Sequence, residues 1–369
     1  MSVKFIKDFA PSAGNARNSE GDFIRLKDGG ILFVYTRYDG GDGDGDAANL
    51  YGVVSRDGGE RFGDPFPVYD RGRVGADNIM SVTLRRMNNG DLGLFFLIKM
   101  PPQQCRLHLI RSADEGETWS EPVACIPHRG YFVVNNDRVV RLASGRWIVP
   151  AAHIPVLTDD GTGEAYFDGQ NSIARFYVSD DDGATWRMAG CCRPGAGFCR
   201  TDTGLQEPGL IELRSGVLRA YFRTGEGRHY ESFSFDGGER WTETQPSAFT
   251  GPDAPLSMKR LSDGRILAVW NPVPMYNGRS RHVDGVWTGG RTPLVYALSD
   301  DDGRTFGEPV VIDDDPNRGF AYTAIFETDD GGVLLGYCAG GVEDKGMLNR
   351  LRILKLNVSF PDLSGHGVI

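Results

Sequence analysis

The sequence predicts an all-β chain folded as a six-bladed β-propeller, and three observations carry that prediction. A short acidic box recurs five times, an apolar strand–turn–strand unit recurs six times, and no segment of useful length has helical periodicity. Repeats of about 60 residues holding about four strands each describe a radial array of small sheets, an architecture that leaves few open strand edges.

The boxes read "SRDGGERF" from Ser55, "SADEGETW" from Ser112, "SDDDGATW" from Ser179, "SFDGGERW" from Ser234 and "SDDDGRTF" from Ser299. An active site is normally built once, so a motif in five copies is structural. Its central aspartates, Asp57, Asp114, Asp181, Asp236 and Asp301, are expected to accept hydrogen bonds from amides of their own turn, as short acidic side chains do. The closing Trp or Phe is expected to pack between strands.

The second repeat interleaves with the first. Its copies are "FIRLKDGGILFVY", "SVTLRRMNNGDLGLFF", "VVRLASGRWIVP", "LIELRSGVLRAYF", "MKRLSDGRILAVW" and "AIFETDDGGVLLGY", with turn glycines at Gly29, Gly90, Gly145, Gly216, Gly264 and Gly331. Asn-Gly, Asp-Gly and Ser-Gly turns mark tight hairpins whose backbone needs positive φ. The last unit has no box, and its strand "RILKLNV" is expected to pair with the N-terminal "VKFIKDF", closing the ring into one domain spanning residues 1–369.

A chain of 369 residues with net charge −10 is long enough for a large core, and its acidity argues against nucleic-acid and anionic-membrane partners. "MSVKFIKDFA" lacks the apolar core of a signal peptide, and no stretch reaches the ~18 apolar residues of a membrane span. The default expectation is therefore cytoplasmic. Cys105, Cys125, Cys191, Cys192, Cys199 and Cys338 form neither a CxxC pair nor a disulfide framework. Cys191, Cys192 and Cys199 cluster, but without partnering histidines they read as ordinary thiols. His108, His128, His229 and His282 belong to no motif, and neither a metal nor a cofactor is expected.

Box and turn unit together resemble the bacterial neuraminidase repeat, and so the sialidase superfamily, over essentially the whole chain. The resemblance implies a retaining exo-glycosidase that removes a terminal acidic sugar from a glycan. Such enzymes grip the sugar carboxylate with arginines, attack with a tyrosine paired to a glutamate, and use an aspartate as acid/base. A neutral phenol avoids the repulsion that a carboxylate nucleophile would meet at an anomeric carbon already bearing a carboxylate. The glutamate takes the phenol's proton, because tyrosine near its ordinary pKa of ~10 is a poor nucleophile.

In "QEPGLIELRSGVLRAYFRTGEG", Glu207 is similar to the family's glutamate and Arg223 to its second arginine. Arg291 lies just ahead of the fifth box and resembles the third arginine. Tyr322 in "GFAYTAIFETDDGGVLLGY" resembles the nucleophile. The first unit departs from the family's Arg-Ile-Pro. Ser19 stands at the aligned position, Arg17 lies two residues away, and Glu20 is a second occupant for the same pocket.

The acid/base is expected from "RYDGGDGDGDAANL", with Asp44 first, Asp46 next and Asp42 third. These three aspartates are spaced like the start of a calcium loop, but Ala47 and Val53 stand where such a loop needs glycine and glutamate. Asn136, Arg138 and His153 are candidate hydroxyl-binding groups, and Asn78, Ser81, Asn135 and Asp137 point to the same end of the repeat. Two other readings stay open: action on a uronic-acid glycan by hydrolysis or β-elimination, and a non-catalytic glycan-binding propeller.

Overall fold

A computed structural model of the chain describes residues 3–101, 103–158, 165–167, 171–195 and 203–358. The fold is all-β. Among the described residues the helical elements are three single 3-10 turns, Arg71–Val74, Met275–Asn277 and Val342–Asp344.

The strands group as the two repeats anticipate. Arg17–Arg25, Ile31–Tyr38, Ala48–Ser55 and Phe66–Tyr69 pair antiparallel in that order. Asn78–Arg86, Leu92–Met100, Gln104–Ser112 and Val123–Ala124 follow. In the third group the leading strand is broken into Tyr131–Val133 and Val140–Arg141, both paired with Trp147–Ile154, which pairs Ile173–Ser179 and then Arg187–Cys192. The fourth group is Gln206–Glu212, Leu218–Arg223, Arg228–Ser234 and Gln245–Thr250; the fifth is Ser257–Arg260, Ile266–Trp270, Leu294–Ser299 and Val310–Asp313. The sixth runs Ala321–Glu327, Gly332–Cys338, Leu351–Asn357, and its fourth strand is the N-terminal Val3–Phe9, paired antiparallel with Leu351–Asn357. Asp8 fastens this seam, accepting from Arg352 Nε at 2.8 Å and Arg350 Nη1 at 3.1 Å.

Each turn glycine has positive φ, between 77° at Gly331 and 90° at Gly90, Gly145 and Gly264, which is the conformation that selects glycine there. The five boxes share one geometry. In the third, Ser179 Oγ donates to Asp181 at 2.8 Å and accepts from Gly183 N at 2.7 Å, while Asp181 accepts from Thr185 N at 2.9 Å. The box tryptophans wedge between neighbouring groups: Trp241 stacks on Phe176 with ring centroids 4.0 Å apart.

Strands such as Ile31–Tyr38 and Leu92–Met100 are buried on both faces because adjacent groups pack face to face. One apolar cluster joins Ile24, Leu32 and Val34 of the first group to Ile79, Leu94 and Phe96 of the second. The leading strands also touch one another: Arg17–Arg25 meets both Asn78–Arg86 and Ala321–Glu327, and Ser257–Arg260 meets Gln206–Glu212 and Ala321–Glu327. Asp137 ties four groups together at this centre. It accepts from Arg85 Nη2 at 2.6 Å, Lys259 Nζ at 3.0 Å and Ile325 N at 3.0 Å.

Candidate active site

The leading strands share a device that explains how they present polar side chains. The pairing register slips between Ser19 and Asp22, Met80 and Thr83, Gln206 and Gly209, and Ala321 and Ala324. Within each slip one non-glycine residue takes positive φ: Glu20 at 48°, Ser81 at 59°, Glu207 at 45° and Tyr322 at 62°. Such bulges re-aim a side chain that a regular strand would send into the sheet-to-sheet packing. Holding a non-glycine residue in this region costs on the order of 1–3 kcal/mol, and the surrounding core holds four of them.

Two of these residues meet. Tyr322 Oη donates to Glu207 Oε1 at 2.9 Å, and Arg223 Nη1 donates to the same oxygen at 2.6 Å, lying 3.5 Å from Tyr322 Oη. Glu207 Oε2 is buried and has no hydrogen-bond partner. Burial, then the Glu207 carboxylate, raises the Tyr322 phenol above the ordinary tyrosine value, so the phenol is neutral and needs a base to ionise.

Arg291 completes the group. Its side chain is only 1% exposed, and its guanidinium lies 5.1 Å from the Trp287 ring centroid and 5.5 Å from that of Tyr322. Nε and Nη2 donate to the Asp253 carbonyl at 3.1 and 2.9 Å, and Nη1 meets Met347 Sδ at 3.7 Å. Among the described residues no carboxylate forms an ion pair with it. Arg223, by contrast, has two carboxylates, because its Nε donates to Asp253 Oδ1 at 2.6 Å. Burial opposes the ionisation of Asp253, but Arg223 and then Arg291 outweigh it and hold the carboxyl at about 2.

Tyr322, Glu207, Arg223, Arg291 and Trp287 line a cavity of about 490 Å³ together with Asp44, Gly45, Gln103, Gln206, Tyr131 and an apolar side formed by Val133, Ala152, Ile154 and Leu348. The volume falls in the ordinary range for small-molecule sites.

The glycine-rich loop sends its three carboxylates to three places. Asp44, whose side chain is 63% exposed, accepts from Arg17 Nη1 at 2.6 Å. Asp46 closes its own turn on Gly43 N at 2.8 Å, and Asp42 accepts from Asn349 at 3.0 Å. Desolvation works to raise the Asp44 pKa, but the charges of Arg17 and Lys99 outweigh it and the net shift is downward. Arg17 itself is 1% exposed, stacks over Tyr38 and does not line the cavity; it lies under the loop, against Asp44. Glu20 is buried behind it, bonded to the Ser81 hydroxyl and 3.5 Å from Arg17, and burial raises its pKa.

Three expected hydroxyl-binding residues are not brought into the cavity. Asn136 donates to Gly21 O at 2.8 Å and to Tyr322 O at 2.9 Å, so it braces the strained Tyr322 backbone. Arg138 donates to Tyr221 Oη at 3.1 Å and Leu256 O at 2.7 Å and lines a separate cavity of about 350 Å³. That second cavity lies towards the other end of the leading strands, since Gln206–Glu212 gives its first residues to one cavity and its last to the other. His153 follows Ala152 and precedes Ile154 on one strand, so alternation turns it off the cavity face and onto Phe132, 4.6 Å away. Its pKa is pushed down to about 4 by burial and by Arg175. Of the clustered thiols, Cys199 lies outside the described residues, and exposed Cys191 and buried Cys192 face opposite ways. Asp253, Trp287, Gln103 and Tyr131 were not anticipated. They come from loops and broken strands that carry no repeat signature.

Comparison with known proteins places this geometry in a family. Residues 40–335 match the BNR repeat-like domain. A curated relative, the anhydrosialidase of Macrobdella decora, is 27% identical over 278 residues, which is 69% of this chain and 32% of that protein; the chain thus spans about a third of its relative's length. Among solved structures, the NanB sialidase of Streptococcus pneumoniae aligns with TM-score 0.70 at 14% identity, covering 96% of this chain and 71% of that one. The intramolecular trans-sialidase of Ruminococcus gnavus aligns with TM-score 0.64 at 16% identity, covering 95% and 96%. A Dyadobacter fermentans protein of unknown function aligns with TM-score 0.69 at 17% identity, covering 96% and 99%. The chain belongs to the BNR repeat-like family, within the sialidase superfamily.

Proposed function

We propose that the chain is a six-bladed β-propeller glycosidase of the sialidase type, removing a terminal carboxylated sugar from a glycan with retention at the anomeric carbon. One observation carries the reading: a Tyr322–Glu207–Arg223 hydrogen-bonded trio stands beside Arg291, a buried cation with no ion-paired carboxylate among the described residues, in a cavity of monosaccharide size. A buried, uncompensated guanidinium is costly, and a substrate carboxylate held through forked hydrogen bonds relieves that cost. Arg223 Nη2, which has no bonded acceptor among the described residues, supplies the second contact.

In the first step Tyr322 Oη attacks the anomeric carbon as its proton passes to Glu207. The bond to the leaving oxygen breaks, and that oxygen takes a proton from Asp44. Water then cleaves the tyrosyl–sugar bond, with Asp44 as base and Glu207 returning the proton to the phenol. Asp44 is ionised while it pairs with Arg17; a sugar seated in the cavity covers this exposed carboxyl, and its withdrawal from water raises its affinity for a proton. The apolar side, Val133, Ala152 and Ile154, suits an apolar substituent of the sugar better than a bare polyol.

The test is turnover of a fluorogenic sialoside beside a panel of glucuronides and galacturonides, with product identification. Free reducing sugar marks hydrolysis and an unsaturated product absorbing in the ultraviolet marks elimination. An internal anhydro-sugar would match the transfer named for the Macrobdella and Ruminococcus relatives. Tight binding without product from any carboxylated glycoside overturns the enzymatic reading in favour of a glycan-binding propeller.

A further inference from the structure

We propose that Asp253 is the positioning residue that sets the spacing and the charge of the two cavity arginines; the proposal rests on the reading of Arg223 and Arg291 as a carboxylate grip. Asp253 lies in "TGPDAPL", the connection between the fourth and fifth groups, and does not itself line the cavity. One residue holds both guanidinium groups by different atoms. Its carboxylate takes Arg223 Nε at 2.6 Å, and its carbonyl takes Arg291 Nε and Nη2 at 3.1 and 2.9 Å. Because both grips come from one residue, the distance between the two forks is fixed by a single peptide unit rather than by two long, flexible side chains.

The arrangement also divides charge. Arg223 is flanked by Glu207 and Asp253, whereas Arg291 has the Asp253 carbonyl and Met347 Sδ and, among the described residues, no ion-paired carboxylate. The carboxylate of Asp253 therefore offsets Arg223 and leaves Arg291 as the net positive anchor. Removing that carboxylate leaves the cavity with one negative charge fewer, and a site with less negative charge holds its protons less tightly.

Two substitutions separate the two roles. Asp253→Asn keeps the carbonyl and the shape but loses the charge. With the offset to Arg223 gone and an amide oxygen still accepting from its Nε, it is expected to tighten binding of both acids about 10-fold, the equivalent of one pKa unit of charge interaction, with glucose unchanged, and to move the acidic limb of the pH–rate profile to lower pH. Asp253→Glu keeps the charge and displaces the fork, so it raises KM while leaving that limb in place. Calorimetric titration of both variants and the wild type with N-acetylneuraminic acid, glucuronic acid and uncharged glucose reads binding without requiring turnover. Affinity for both acids within twofold of wild type in a folded Asp253→Asn, with an unmoved pH limb, overturns the proposal even if Tyr322→Phe is inactive. Wild-type protein that binds neither acid instead removes the carboxylate grip, and this proposal with it. Should Asp253→Asn not fold, Asp253→Glu carries the test, and unchanged KM and affinity there sink it.

Discussion

Tyr322 and Glu207 lie 115 positions apart in the chain, yet their side chains are joined by a 2.9 Å hydrogen bond because each occupies a left-handed bulge in its own leading strand. The two bulges turn both groups towards one cavity. Regular strands of the same sequence would alternate them into the packing between sheets.

The first prediction follows from that bond. Tyr322→Phe removes the nucleophile and Glu207→Gln removes the base while keeping a group able to accept from the phenol. Each is expected to lower kcat by about a thousandfold or more, since a nucleophile and a positioned base each supply several powers of ten. Burst kinetics and kcat on a turned-over glycoside check this, and a Tyr322→Phe protein within tenfold of the wild-type rate would falsify the assignment.

Asp44 and Asp46 are separated by the same assay. Only Asp44 faces the cavity; Asp46 closes the turn on Gly43. Asp44→Asn is expected to cost about 10²- to 10⁴-fold on a sugar leaving group. It should cost much less on an activated phenol, which departs without a proton. Asp46→Asn should stay within a fewfold of wild type on both. Equal losses on the two substrates would deny Asp44 the acid role.

Asn136 supports the nucleophile from behind. Its amide holds the carbonyl of Tyr322, whose φ is 62°, a conformation that needs its surroundings to over-determine it. Asn136→Ala is expected to cut kcat about tenfold with little change in KM, because the carboxylate grip is untouched. A raised KM with unchanged kcat would place Asn136 in binding instead.

The class of the fold was legible because it is written in repeats. Six turns need glycine at positive φ and five boxes need the same serine–aspartate geometry, so each position is chosen by its local backbone. Glu207, Arg223 and Tyr322, whose side chains meet in the structure, were singled out by their resemblance to sialidase segments in the fourth and sixth units. Arg17 was not. It sits in the expected region, but whether a guanidinium faces a cavity or an aspartate on a flexible loop depends on a contact between elements with no shared pattern. His153 illustrates a phase error of a single residue: Ala152 and Ile154 line the cavity, and alternation turns the histidine away. Asp253, between the fourth and fifth groups, and Trp287, in the long connection between two strands of the fifth, lay beyond sequence reasoning because connections obey no period.

The boxes make a prediction about acid stability that is independent of function. Asp114, Asp181 and Asp301 are each held at about 2, first by the hydroxyl of a threonine four residues on and then by that threonine's amide. Asp57 is held at about 2 chiefly by Arg61. A carboxyl whose folded pKa lies below its unfolded value of about 3.8 stabilises the fold above that value, and the contribution fades as pH falls towards 2. The boxes' own contribution should therefore be flat from neutrality to about pH 4 and drop steeply below it, following an earlier loss between about pH 6.5 and 4 from the buried neutral His108, His153 and His229, each held at about 4. In Asp181→Asn that drop should be shallower, because one fewer proton is taken up on unfolding. Ser179→Ala tests the other half of the box: it strips Gly183 N of its acceptor and should cost about 1–3 kcal/mol at neutral pH, while softening the acid slope less than Asp181→Asn does, because Thr185 still holds the carboxylate that Ser179 no longer reaches. Urea unfolding at pH 7, 4 and 3 distinguishes the two, and an unaltered acid slope in Asp181→Asn would remove the boxes from the account of how this fold resists acid.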